Sequence, residues 1–135
     1  DWSSDVCSSD LFAGASVRAG MEGSFAPNTP PDGWLDAARV SLAARPEALR
    51  ATGEDLVAAK REIIAQQARY PEIKIPVAIM VGDSDKVVSP TIHAMKLAQT
   101  LPNARIDVLA GVGHLPQEIS PERLRKLFDW VRSAK

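Results

Sequence analysis

Residues Val77-Ala78-Ile79-Met80-Val81 form an uninterrupted apolar run, preceded by Pro76 and stopped by Gly82. With no polar residue at alternate positions, such a run is typical of a strand buried on both faces, as in the interior of a parallel sheet. Arg105-Ile106-Asp107-Val108-Leu109 is a second, shorter strand, broken by Gly111-Val112-Gly113. Between the two, Ser89-Pro90 is a helix start, a hydroxyl cap followed by proline in the first turn. Ile92, Ala94, Met95, Leu97, Ala98 and Leu101 supply that helix with its apolar residues. Strand, helix, strand predicts a parallel βαβ unit with a right-handed crossover. Ser120-Pro121 repeats the start signal. Leu124, Leu127, Phe128 and Val131 then form the inward stripe of a last helix, with Phe128 and Trp130 as packing residues.

Upstream the pattern differs. Gly14, Gly20, Gly23, Pro27, Asn28, Pro30 and Pro31 punctuate residues 12–31 so often that a loop is expected there. Residues 32–70 read as two or three helices with no strand between them. Asp32 is placed to cap a helix from about Gly33 to Ala44, and Pro46 to begin a short one. Thr52, with Asp55 three residues on, is placed to open a longer helix to about Arg69. Leu56, Ala59, Ile63, Ile64 and Ala68 recur along it at helical spacing, and Pro71 ends it.

Residues 1–11, DWSSDVCSSDL, carry no basic residue and four serines. The string resembles a frame translation of a sequencing-library adapter, and is set aside as a non-native tract fused to a truncated gene. Cys7, the single cysteine of the chain, lies in it. The remainder then offers no disulfide, thiolate nucleophile or cysteine metal site. Without Asp1, Asp5 and Asp10, 16 basic residues face 14 acidic ones, so the net charge moves from −1 to +2. That is close to neutral and suggests no polyanionic partner. No Lys/Arg cluster marks a nucleic-acid footprint, and no apolar run approaches the ~20 residues that span a bilayer. The expected partner is a small-molecule substrate, with neither nucleic acid nor membrane. The true N-terminus is expected to lie outside the chain, so a leader cannot be judged; a cytoplasmic protein is the default. Oligomeric state is not legible.

Chemistry concentrates in two loops, each at the carboxyl end of a predicted strand. One is Gly82-Asp83-Ser84-Asp85-Lys86-Val87-Val88-Ser89-Pro90, the other Gly111-Val112-Gly113-His114-Leu115-Pro116. Parallel neighbouring strands open both loops on one rim, where ligands of such sheets bind. A carboxylate bonded to an imidazole there fixes its tautomer and makes it a general base. Asp83 and Asp85 both stand in the first loop, and an Asp in a loop is ordinarily a turn-former. His93 belongs to a helix and reads as a surface residue. Trp34 reads as a core or surface aromatic that is also placed to line a pocket.

Gly82-x-x-Asp85 followed by Val87, Val88 and Pro90, and Gly111-x-Gly113-His114 before a helix, together resemble the C-terminal part of the α/β-hydrolase superfamily. The triad of that superfamily runs nucleophile, acid, histidine in chain order. The resemblance covers roughly residues 32–135 and is most specific over 75–135. It implies an α/β fold: two parallel strands with flanking helices at 71–135, preceded by a helical cap at 32–70. It implies Asp85, rather than Asp83, as the catalytic acid and His114 as the base, with no metal or organic cofactor. Glu118 resembles an acid often found near that histidine and is read as ordering the loop or capping the last helix.

The superfamily's Gly-x-Ser-x-Gly nucleophile turn is absent. Gly14-Ala15-Ser16-Val17-Arg18 fails at its last position. By the resemblance, nucleophile and oxyanion amides belong to a missing upstream half. The parent is then expected to hydrolyse a small ester or related acyl substrate, and the chain itself to be inactive. Two alternatives stand beside this. One is a relative with an Asp nucleophile, of the epoxide hydrolase or dehalogenase type; the epoxide hydrolases use cap tyrosines, and here only Tyr70 is available. The other is a non-catalytic ligand-binding protein on the same fold.

Overall fold

The computed structural model describes residues 3–134, with side chains from Gly14 onward. The chain divides into two compact units. One holds the residues up to Gly23 and Asp32–Ala65; the other holds Ser24–Pro31 and Gln66 onward.

The first unit is helical. Helix α1 spans Ser3–Ser24, where a loop was expected from residue 12. Gly14, Gly20 and Gly23 lie inside it, each costing a helix roughly 1 kcal/mol against alanine. All the prolines of the 12–31 stretch fall after its end. Ion pairing of Arg18 with Asp36, at 2.7 Å, bridges α1 to helix α2 (Trp34–Ala37). The helix expected from Gly33 to Ala44 is therefore cut short. Arg39 adopts a left-handed conformation, φ 50°, and the chain resumes as a 3₁₀ helix, Val40–Ala44. Leu35 and Val40 are buried. Helix α3 runs unbroken over Pro46–Gln67, so Thr52 is an interior residue and not a cap. Proline at the first position gives α3 its fixed φ where no amide partner is needed. No residue of α3 is buried, and Leu56, Val57, Ile63 and Ile64 are exposed.

The second unit carries the sheet. Strand β1 (Val77–Gly82) pairs in parallel with β2 (Ala104–Leu109), Val77 facing Ala104 and Gly82 facing Leu109. The crossover is a single π-helical turn, Thr91–Met95, continuing into helix α4 (Lys96–Thr100). A short helix α5 (Pro116–Ile119) and helix α6 (Pro121–Ser133) follow β2. Both Ser-Pro starts open helices, but neither serine hydroxyl makes a capping bond. Their backbone carbonyls do the work: Ser89 O accepts from His93 N–H and Ser120 O from Arg123 N–H.

Phe25, Val81, Leu101, Leu109, Val112 and Leu127 form the buried apolar set of this unit. Against expectation β1 is only half-buried over residues 77–80, and fully buried at Val81 and Gly82. Its second edge has no strand beside it among the described residues. A groove of about 550 Å³ runs alongside, lined by Val77, Ala78, Met80, Leu124, Phe128 and Val131 among others. Phe128, expected as a packing residue, is 60% exposed there. Trp130 is half-buried, with the Arg105 guanidinium 5.9 Å from its ring centre. Arg123 pairs with Asp107, tying α6 to β2.

Candidate active site

Both chemistry-bearing loops open at the carboxyl ends of β1 and β2, and hydrogen bonds lace them together. Asp83 N–H donates to Leu109 O and Ser84 N–H to Val112 O, each at 3.0 Å. Gly82 lets the loops approach this closely, because a β-carbon there would overlap the backbone carbonyl oxygens of Val112 and Gly113. Gly113 is equally constrained: a β-carbon on it would overlap Ala26 O and sit 2.6 Å from Phe25 O. The glycines flanking Asp85 and His114 are thus imposed by backbone crowding around the site.

Asp85 and His114 meet across this seam, with His114 Nδ1 2.8 Å from Asp85 Oδ2. Asp85 Oδ1 accepts from Val87 N–H at 2.8 Å and from Val88 N–H at 2.9 Å, a turn in which the side chain holds its own loop. Three bonds therefore fix one carboxylate whose side chain is only 6% exposed. Burial opposes its ionisation. The His114 hydrogen bond, the Val88 and Val87 amides and the charge of His114 outweigh burial and hold its pKa below the ordinary carboxylate value. An ionised carboxylate has only lone pairs, so His114 Nδ1 must carry the proton, leaving the Nε2 lone pair as acceptor. Nε2 has no hydrogen-bond partner among the described residues, and the imidazole is 36% exposed. The arrangement can accept a proton at Nε2 and stabilise the resulting imidazolium through Asp85.

Asp83 does something different. Its Oδ1 accepts from Gly111 N–H at 2.7 Å and from the Ser84 hydroxyl at 2.9 Å. It clamps the histidine loop rather than touching the imidazole. We expect Asp83→Ala to cost about 1 kcal/mol, read as a lower urea midpoint, with no change if the clamp is idle.

His93 is exposed, as its helical context suggests. It also stands at the rim of a cavity of about 130 Å³ shared with Gly82, Asp85, Val88, Ser89 and His114. Trp34 is half-buried in the other unit. No group of three or more His, Cys, Asp or Glu suited to a metal ion occurs among the described residues.

Sequence reasoning missed Asn28, placed in a loop by its neighbours alone. Its side chain bonds Gly111 O at 3.2 Å and Gly113 N–H at 3.1 Å. Those partners lie 83 and 85 positions away, so no local pattern announces them.

The depressed pKa of Asp85 makes stability depend on pH in one direction. Its contribution is fully present above the unfolded value of roughly 3.9, and is lost as pH falls through the lower folded value. Asp85→Asn is expected to flatten that acid limb. An unchanged urea-midpoint profile between pH 2 and 5 (roughly the titration range of a carboxyl group) would contradict the assigned shift.

No sequence-family profile matches the chain, and no curated protein matches it by sequence. Among solved structures, the crystal structure of a membrane phospholipase A, described as a novel bacterial virulence factor, aligns with 87% of this chain. The TM-score is 0.63 and the identity 17%. The chain spans 38% of that protein's length. At this identity the likeness concerns the fold: mixed helix and strand with two parallel strands. No described helix is long and apolar enough to cross a membrane.

Proposed function

We propose that the chain is the C-terminal part of an α/β-hydrolase, in which His114 is the general base and Asp85 the residue that orients it. The single observation carrying this reading is the 2.8 Å bond from His114 Nδ1 to a carboxylate already fixed by two backbone amides. A loop that only turns the chain needs no imidazole held in one tautomer. His114 Nε2 would take the proton from a nucleophile supplied by a part of the parent upstream of the described residues. It would later return that proton to the leaving group, while Asp85 stays ionised and stabilises the imidazolium. The substrate class is a small ester or related acyl compound. The structural neighbour, a phospholipase and so a hydrolase, supports hydrolytic chemistry. Residues 32–70 would serve as the cap, and residues 1–11 as foreign sequence.

The test is the longer reading frame recovered from the source DNA. It should encode a Gly-x-Ser-x-Gly turn upstream of residue 12, with an ester-cleaving product. An Asp at that turn would select the epoxide hydrolase or dehalogenase type. A frame with no nucleophile there would sink the hydrolase reading in favour of a ligand-binding protein.

A further inference from the structure

We propose that Asn28 is a positioning residue for His114, acting on its loop from a segment remote in sequence. The inference rests on the reading of His114 as a base and adds what holds that base in place. The loop after β2 has no regular structure of its own between Leu109 and Pro116. Rotation about its backbone would swing the imidazole off Asp85. Three contacts oppose that rotation, all from the segment 24–28. Asn28 Oδ1 accepts from Gly113 N–H, Asn28 Nδ2 donates to Gly111 O, and Ser24 O accepts from His114 N–H at 3.0 Å. The strut is itself anchored, since Phe25 is fully buried and its carbonyl accepts from Asn28 N–H at 2.8 Å.

The residue type follows from the chemistry. One side chain must present an acceptor to an amide and a donor to a carbonyl two residues apart. A carboxamide has both on one planar group; a carboxylate has only acceptors, and a hydroxyl is too short to span two peptides. From the opposite side Asp83 holds Gly111 N–H. The histidine loop is therefore gripped at both glycines and released only if one grip is removed.

The readout is the proton on His114 Nδ1, which is slowed in exchange with water by its bond to Asp85 and gives a downfield proton NMR resonance. Asp85→Asn assigns that resonance. In Asn28→Ala the resonance is expected to disappear while the amide pattern of β1 and β2 is kept. Asn28→Asp is expected to lose it near neutral pH, where two acceptors face each other at Gly111 O. It should regain the resonance on acidification towards the ordinary carboxyl pKa of about 4, because the protonated acid is again a donor. Asp85 remains ionised longer, its own pKa lying lower. A resonance unchanged in Asn28→Ala, or one in Asn28→Asp that follows pH just as it does in the unsubstituted protein, would overturn the proposal. So would loss of the fold in both variants, which would make Asn28 a folding residue. Absence of the resonance from the unsubstituted protein would instead strike the underlying Asp85–His114 reading.

Discussion

Replacing Gly82 with alanine is expected to destabilise the second unit by at least about 2 kcal/mol and to part His114 from Asp85. The obstacle is backbone. The new methyl would occupy the space of Val112 O and Gly113 O, and peptide carbonyls cannot rotate aside as a side chain can. The two loops must separate, breaking the Ser84 N–H to Val112 O bond that closes the seam. Gly113→Ala meets the same fate against Phe25 O and Ala26 O, on the other side of the same loop. Gly14→Ala is the matched control. Nothing lies within 4 Å of a β-carbon there, and alanine in α1 should stabilise by roughly 0.5–1 kcal/mol. Urea titrations of the three variants check the order. Equal midpoints for Gly82→Ala and Gly14→Ala would show that the loops are not in contact.

Offered an activated ester, the 135-residue chain is expected to show no turnover beyond that of free imidazole. Base catalysis by His114 needs a nucleophile at Nε2, and no partner stands there among the described residues. It also needs donors for the oxyanion, which in this chemistry contribute about 10²–10³ in rate. For the parent proposed above the expectation reverses, with His114→Ala lowering kcat by roughly 10⁴-fold or more. Asp85→Asn should be severe as well, because it turns the carboxylate's acceptor role partly into a donor and disfavours the required tautomer. Ester turnover by the chain alone that His114→Ala abolishes would contradict the assignment of the nucleophile to an upstream part.

What the sequence made legible was local. The apolar run at 77–81, short and stopped by glycine, reads as a strand, and Ser-Pro pairs mark helix starts because proline's fixed φ suits the first turn. Asp85 and His114 fell on one rim because parallel strands deliver their carboxyl ends together. What escaped depended on partners far along the chain. Glycine punctuation at 14, 20 and 23 suggested a loop, yet α1 crosses all three, since a few glycines cost less than a long run of helical bonds provides. Thr52 and Asp55 imitate a capping box inside a helix that had already begun at Pro46. The break at Arg39 has no sequence signature, as arginine does not favour a left-handed conformation. Between Asp83 and Asp85 no local pattern decides, and only the family resemblance pointed to Asp85; in the structure His114 bonds Asp85, and Asp83 bonds the glycine three residues before the histidine.

Nitrogen-15 NMR of the neutral His114 imidazole bears most directly on the role proposed for this pair. Asp85 should impose the tautomer with the proton on Nδ1 and a bare Nε2, and Asp85→Asn should weaken that preference. A proton resident on Nε2 in the unsubstituted protein would mean that no base is being prepared at this site.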